Sequence, residues 1–133
     1  MANLRDIQGL GDELAERLER ADVYNSDALL SRGNTREARD ELAEETGIAP
    51  ERLWNFVKQA DLMRVDGIGG EYAELLVAAG VDSVGELAQS DANELHKKIT
   101  EVNAERGMGQ PVASAPVQEW IDRATALAEI VRP

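Results

Sequence analysis

The sequence has no cysteine, one histidine and only five Phe, Trp and Tyr residues. Without cysteine the chain cannot form disulfides, zinc ribbons or thiol nucleophiles. The single histidine, His96, offers neither the several ligands that zinc needs nor a general base with an orienting partner. The P-loop and dinucleotide fingerprints are also missing. These absences predict a protein that is not an enzyme and that carries no metal or cofactor.

Long apolar runs are absent as well. No stretch approaches the roughly 18 residues of a membrane-spanning helix, and the first residues, MANLRDIQGLG, have no signal-peptide core. At 133 residues the chain is long enough to bury a core without a metal or a disulfide. We therefore expect no membrane association, and cytoplasmic localisation is the default expectation.

Positive charge is scarce, because 14 Lys and Arg residues face 26 Asp and Glu residues and give a net charge of −12. A chain with this charge repels DNA and anionic lipid at long range. An acidic surface also keeps proteins soluble, and a protein from a salt-loving source would show the same profile throughout. In molar salt the Debye length falls to about 3 Å. Local groups of residues must therefore indicate what the chain binds.

An internal repeat is the main feature that the sequence does contain. Residues 7–25 and 65–83 align at a shift of 58, and each begins with an apolar residue, a polar residue and then Gly-apolar-Gly. Further along the shift becomes 64, which places FVKQA (56–60) on WIDRA (120–124). The chain is therefore read as one structural unit that occurs twice.

The repeat predicts a first unit over residues 1–64 and a second unit over residues 65–133, packed as one compact domain. The six-residue difference between the two shifts falls in RGMGQPVASA (106–115), a Gly- and Pro-rich stretch of the second unit. We expect this stretch to form an exposed, mobile loop.

Helical periodicity runs through both units, and no segment alternates as a strand does. Capping residues and prolines mark the helix starts. The expected helices span about 26–31, 35–46 (opened by Asn34), 50–63, 83–89, 92–105 and 116–131. The fold class is all-α, with two tandem helix-hairpin-helix (SAM-like) units related by pseudo-twofold symmetry. We expect helix 116–131 to pack beside the first turn, as helix 50–63 would pack beside the second.

The two Gly-apolar-Gly turns are the clearest candidates for a binding site. Glycine permits the positive φ of a tight turn, and the N–H groups at the start of the following helix can bind an anion such as a DNA phosphate. In some hairpins of this kind, exposed carbonyls hold a monovalent cation instead. The candidate residues are Gly9, Leu10, Gly11, Gly67, Ile68, Gly69 and Gly70, with Arg5 and Arg64 as nearby cations.

Acidic residues follow both turns, Asp12 and Glu13 after the first and Glu71 after the second. Carboxylates in the first turn of a helix already interact with its dipole, so they compete with a phosphate for the same field. The second turn is the more accessible one because Gly70 has no side chain. Packing is the favoured interpretation of the turns, and binding of a phosphate backbone or of another ion is the alternative.

Arg32, Arg36 and Arg39 form the densest basic cluster in the chain. Such a cluster suits an acidic partner or a phosphate. The interpretation we favour pairs Arg36 with Asp40 on a solvated helix face. Trp54 has no aromatic counterpart in the repeat, and an exposed Trp54 would mark an interaction surface. The three arginines and Trp54 are therefore the candidate interaction surface.

Three stretches of the chain resemble the bacterial family Domain of Unknown Function 4332: RDELAEETGIAPERL, VQEWIDRA and ADLMRVDGIGGEYAELLVAAGVDSVGELAQSDANELHKKITEVN. The resemblance covers essentially the whole chain and implies two helix-hairpin-helix units. More loosely, TGIAPERLWNFVKQA resembles the helical N-terminal domain of RadA-type recombinases. Related hairpin domains mostly bind DNA, with neutral or basic residues where this chain has Asp12, Glu13 and Glu71.

The sequence thus favours a non-catalytic binding or scaffold module that acts through contacts with a protein partner. The alternative is weak, sequence-independent DNA binding through the backbone amides of the two turns. Neither the identity of the partner nor the oligomeric state follows from the sequence.

Overall fold

The protein is all-helical over residues 2–106 and 114–133, which are the residues that the computed structural model describes. A short 3-10 helix, Leu4–Asp6, comes first. The α-helices are α1 Asp12–Arg20, α2 Ser26–Gly33, α3 Arg36–Thr46, α4 Pro50–Leu62, α5 Gly70–Ala78, α6 Val84–Ala88, α7 Ala92–Arg106 and α8 Ser114–Ala124. Within these ranges no strand occurs, and one isolated antiparallel bridge joins Asn3 to Asn25. The predicted all-α fold class is confirmed.

Short polar side chains and a proline begin several helices. Asn25, Thr35 and Ser83 each accept a hydrogen bond from a backbone N–H three residues later, at the starts of α2, α3 and α6. Pro50 occupies the first position of α4, as predicted. The sequence predicts Asn34 as the cap of α3, but Thr35 takes that role and Asn34 instead ends α2. Each side-chain cap satisfies an N–H group that has no partner within its own helix.

The buried apolar side chains form two clusters, one in each half of the chain. The N-terminal cluster runs from Leu4 to Ala60, and the C-terminal cluster runs from Leu62 to Ala124. Half-buried Met63 packs against both clusters. The two clusters therefore meet where α4 ends.

Each glycine turn packs against the last helix of its own half. A methyl group on Gly9 would lie 3.6 Å from Phe56 of α4, and one on Gly67 would lie 3.4 Å from the Trp120 indole nitrogen of α8. The predicted packing of helix 116–131 beside the first turn is therefore wrong for α8, whereas α4 does pack against α5, the helix that follows the second turn, as predicted. Burial explains the outcome, because Trp120 belongs to the C-terminal cluster and Phe56 to the N-terminal one.

The last helix is shorter than predicted, since α8 ends at Ala124 and not near residue 131. Leu127 packs against the C-terminal cluster, whereas Val131 packs against the N-terminal cluster. A continuous helix would place these two residues, four positions apart, on the same face. The chain must leave the helix to reach both clusters, and residues 125–133, the terminal segment, cross from one half to the other.

The predicted loop over residues 106–115 falls mostly outside the described residues, which resume at Ser114. Arg106 ends α7 and forms a salt bridge of 3.0 Å with Glu74 of α5. The division into units 1–64 and 65–133 stays a prediction.

A buried carboxylate joins the two halves. Asp61 is fully buried near the end of α4. One of its oxygens accepts a hydrogen bond from Arg64 Nη1 at 2.8 Å, and the other accepts one from the Val84 N–H at 2.9 Å, at the start of α6. Arg64 Nη1 also donates to the Ala128 carbonyl at 3.0 Å. This one acidic group therefore fixes α4, α6 and the terminal segment relative to one another.

Candidate functional site

The first glycine turn, residues 7–11, leads into α1 with Gly11 at the N-cap. Gly9 has a φ of 84° and so occupies the left-handed region that favours glycine. Gly11 is extended, with a φ of −83°, and no side chain caps α1. The first N–H groups of this helix are thus without an intrahelical or side-chain acceptor. Leu10, between the glycines, is buried in the N-terminal cluster.

Ion pairs surround the first turn. Arg5 Nε donates to Asp12 Oδ1 at 2.8 Å, and its Nη2 lies 3.4 Å from Glu19. The hydrogen bond to Asp12 raises the pKa of the Arg5 guanidinium above its ordinary value. Glu13 pairs with Arg17 at 2.8 Å. Arg5 is the cation that the sequence assigned to this turn, so a phosphate bound here would have to displace Asp12 from Arg5.

The second turn, residues 65–69, repeats the backbone of the first. Gly67 has a φ of 96°, and Gly69 is the uncapped N-cap of α5. Ile68 is buried in the C-terminal cluster. The next residue, Gly70, lies against the first half, where a methyl group would overlap the carbonyl oxygen of Asp6. Gly70 is therefore required for close packing of the two halves, which the sequence did not indicate.

Arg64 turns away from the second turn, because it is bound to Asp61 and to the Ala128 carbonyl. A cleft of about 620 Å³ opens beside the contact between Gly70 and Asp6. Its lining residues are Ala2, Arg5, Asp6, Gln8, Met63, Ile68, Gly69, Gly70 and Glu71. Within this lining, the two carboxylates of Asp6 and Glu71 outnumber the single guanidinium of Arg5. The cleft is poorly suited to an anion.

Side chains from the last helix of each half bind carbonyl oxygens of the turns. Gln59 Nε2 donates to the Gln8 carbonyl at 3.0 Å, while Gln59 Oε1 accepts from the Gln8 N–H at 2.9 Å. Arg123, which aligns with Gln59, donates to the Asp66 carbonyl at 2.8 Å. Arg52 donates to the Gly9 carbonyl at 3.2 Å. Because guanidinium groups occupy carbonyls of both turns, a bound monovalent cation would be repelled.

Arg39 and Trp54 come together on the surface of the first half. Arg39 Cζ lies 4.1 Å from the centroid of the Trp54 ring, and Arg39 Nη1 donates to the Gly33 carbonyl at 2.9 Å. Lys58 Nζ lies 5.2 Å from the same ring. Arg39 is only 4% exposed, and this burial lowers its pKa. A desolvated cation–π contact is stronger than an exposed one, so this pair holds Trp54 in a half-buried position.

Arg36 lies beside that pair in a groove of about 310 Å³, here named the Arg–Trp groove. Its lining residues are Arg36, Arg39, Asp40, Pro50, Glu51, Trp54 and Pro133. The expected ion pair between Arg36 and Asp40 is wrong, since exposed Arg36 has no salt bridge within the described ranges.

Arg32 lies apart from the Arg–Trp groove. Its guanidinium donates to the Ala21 carbonyl at 2.8 Å and to Glu45 at 2.7 Å. The structure therefore brings together three of the four residues of the candidate interaction surface, Arg36, Arg39 and Trp54.

The terminal segment reaches the Arg–Trp groove without regular secondary structure. The Arg132 N–H donates to the Asn34 carbonyl at 2.7 Å. Val131 is half-buried against the N-terminal cluster, and Pro133 lines the groove. Ile130 is 36% exposed and faces solvent. Sequence reasoning missed this contact because it assigned residues 116–131 to one helix.

Over the described ranges, no group of His, Asp and Glu side chains has the arrangement of a metal site. None of the helices there is long and apolar enough to cross a membrane. The two turns and the Arg–Trp groove are therefore the features on which a functional proposal can rest.

Comparisons with known proteins agree with the resemblance noted in the sequence. The family model described as Domain of unknown function (DUF4332) matches residues 8–127, which include the second turn, the first turn except Ile7 and the Arg–Trp groove except Pro133. Neither the curated proteins nor the solved structures gave a match. Because the family model covers far more than half of its length, the chain belongs to the DUF4332 family.

Proposed function

We propose that the chain is a non-catalytic helix-hairpin-helix binding or scaffold module that acts through protein–protein contacts, with the Arg–Trp groove as its contact surface. One observation carries the proposal: a peptide of this chain already lies against the groove. That peptide is held by a backbone hydrogen bond from Arg132, an apolar contact through Val131 and a proline. Main-chain bonds combined with side-chain pockets are a general way in which proteins recognise extended peptides.

The composition of the groove supports this function. Trp and Arg are enriched among the interface residues that dominate binding energy. Arg39 and Trp54 are already ordered by their stacking and by the bond to the Gly33 carbonyl, so a partner would lose little entropy in immobilising them. Arg36 is exposed and forms no salt bridge with a carboxylate of the described residues, so its guanidinium can pair with a partner's acidic group.

Capture of partners from a cell extract tests the proposal, with two charge-reversal variants compared. Arg36→Glu changes the groove, whereas Arg20→Glu makes the same charge change at an exposed residue in the last turn of α1. Arg36→Glu should lose proteins that the unchanged chain retains, and Arg20→Glu should retain them. Equal capture by the two variants, with both shown to be folded by circular dichroism, would contradict the proposal.

Weak, sequence-independent DNA binding is the second candidate function. One observation favours it, because α1 and α5 both begin at exposed glycines without a side-chain cap. The cations opposite these helix starts are already used, since Arg5 is bound to Asp12 and Arg64 to Asp61. We therefore expect no binding to duplex DNA at low salt, measured with circular dichroism as the folding control. Binding would favour the DNA function instead if it weakened steeply with salt. In that case a plot of log affinity against log salt concentration has a slope of about −0.9 for each phosphate contacted.

A further inference from the structure

We propose that the Arg–Trp groove binds an extended peptide of a partner protein, one that carries an apolar residue and a proline two places later. The terminal segment is the chain's own occupant of that site and competes with the partner. This inference rests on the function proposed above and gives the chemistry of the partner. It is argued from the backbone contact, the side-chain contacts and the tether of the terminal segment.

The backbone contact lies at the end of α2. Asn34 is the C-cap of this helix, and carbonyl groups at a helix end have no intrahelical N–H partner. The Asn34 carbonyl accepts the Arg132 N–H at 2.7 Å. Any residue other than proline can supply that N–H, so the position between the apolar residue and the proline is open to every residue that keeps its N–H group.

The side-chain contacts alternate along the segment, as expected of an extended chain, in which residues i and i+2 share a face. Val131 is half-buried against the N-terminal cluster, and Pro133 lines the groove to which Trp54 also belongs. Ile130, on the other face, is exposed. Aromatic grooves are a common binding place for proline in extended peptides. The groove therefore selects a proline, and the neighbouring surface of the N-terminal cluster selects an apolar residue two places before it.

Beyond Glu129, one hydrogen bond and the packing of Val131 and Pro133 hold the terminal segment, so a partner can replace its last four residues. The polar contacts that hold its last six residues are the Arg132 bond to Asn34 and the bond from Arg64 to the Ala128 carbonyl, and the Glu129 side chain packs against Gly85 of α6. The family match covers Asn34, Arg39 and Trp54 but ends at residue 127, before these contacts begin. A short tether gives an effective concentration of about 1 mM. If the terminal segment itself binds the groove with a dissociation constant of about 0.1 mM, the ratio of the effective concentration to that constant is about ten, and the tethered segment weakens the binding of any partner peptide about tenfold.

Release of the terminal segment in the full chain tests the proposal. Val131→Asp removes the apolar contact, and Arg132→Pro removes the N–H that binds Asn34; together they define the opened chain. The probe is a synthetic peptide with the sequence of residues 126–133, ALAEIVRP, titrated by calorimetry. It should bind the opened chain about tenfold more tightly than the unchanged chain. A full chain with Ile130→Asp is the matched control and should behave as the unchanged chain does.

Circular dichroism establishes that the opened chain is folded, and Arg132→Pro alone replaces the double variant if it is not. A folded opened chain that does not bind the peptide would overturn the proposal. So would a mixed dimer of opened and unchanged chains in sedimentation experiments, because the occupant would then be a second copy of this chain. If the peptide does not bind while Arg36→Glu still abolishes partner capture, the inferred peptide motif is wrong and the proposed function stands. If the peptide does not bind and Arg36→Glu also leaves capture intact, both the inferred motif and the proposed function are wrong.

Discussion

Gly70 marks the place where the start of α5 meets the N-terminal residues. A methyl group on Gly70 would overlap the carbonyl oxygen of Asp6 and lie 3.2 Å from Gln8 Nε2. The overlapping oxygen belongs to the backbone and cannot rotate away as the end of a flexible side chain can. We therefore expect Gly70→Ala to push the second turn away from the first half.

Two opposing contributions set the size of this effect. Insertion of a methyl group into a close-packed contact costs about 1–3 kcal/mol. Replacement of glycine by alanine stabilises a helix interior by up to about 1 kcal/mol, and the gain at the first helical position is smaller. The free energy of unfolding should therefore fall by about 1–2 kcal/mol, measured by urea denaturation.

Gly69→Ala is the matched control for Gly70→Ala. Gly69 has a φ of −89°, and a methyl group there would meet no atom within 4 Å. Backbone amide NMR signals of residues 6–8 report on the contact directly, and they should move in Gly70→Ala and stay in place in Gly69→Ala. A Gly70→Ala protein of unchanged stability with unmoved signals at residues 6–8 would refute the packing of α5 against Asp6.

Two further predictions concern charges. Asp61→Ala removes the buried acceptor of both Arg64 and Val84, and the free energy of unfolding in urea should fall by about 2–4 kcal/mol. Asp61→Asn keeps an oxygen for the Val84 N–H and should lose less stability. Equal losses in the two variants would contradict a contribution from the hydrogen bond between Asp61 and Val84. Asp12→Lys combined with Glu71→Lys places cations at the starts of α1 and α5, and salt-sensitive binding to duplex DNA should appear in fluorescence anisotropy; unchanged binding would show that the turns are not a DNA surface.

The internal repeat predicted much of the fold because it lies in buried residues and in backbone geometry. Leu10 and Ile68 align and are both buried, and Gly9 and Gly67 align and both have positive φ. The prediction failed for residues 116–131, where helical periodicity was extended past Ala124. Periodicity records only which residues share a face, whereas the packing of Leu127 and Val131 on different clusters depends on the tertiary structure.

The candidate sites were less predictable, because nearness in sequence does not decide where a guanidinium group points. Arg64 precedes the second turn, yet the buried carboxylate of Asp61 binds it. Gln59 and Arg123 were not predicted to bind the turns, although the alignment of FVKQA with WIDRA does place them at equivalent positions. A polar residue on a helix is ordinarily assigned to the surface, and only the structure shows that Gln59 is fully buried.

The differences between the two copies of the repeat indicate which surfaces are covered and which are free. Position 12 carries an exposed aspartate that holds Arg5, whereas the equivalent position 70 needs glycine because it faces Asp6. Position 59 is a buried neutral amide, whereas the equivalent position 123 is exposed and can carry a charge, as the high cost of burying an ion requires.

The same comparison separates the Arg–Trp groove from the turns. Trp54 of the groove aligns with Gln118 in the second half, and Arg39 aligns with Lys97, so this surface occurs in one copy of the repeat. The turns occur in both copies, and in both their carbonyls and neighbouring arginines are bound within the chain. A feature that both halves need for packing leaves few groups for a ligand. The second half folds without an equivalent of the Arg–Trp groove, so the groove is not needed for packing. It is therefore the stronger candidate for contact with a partner.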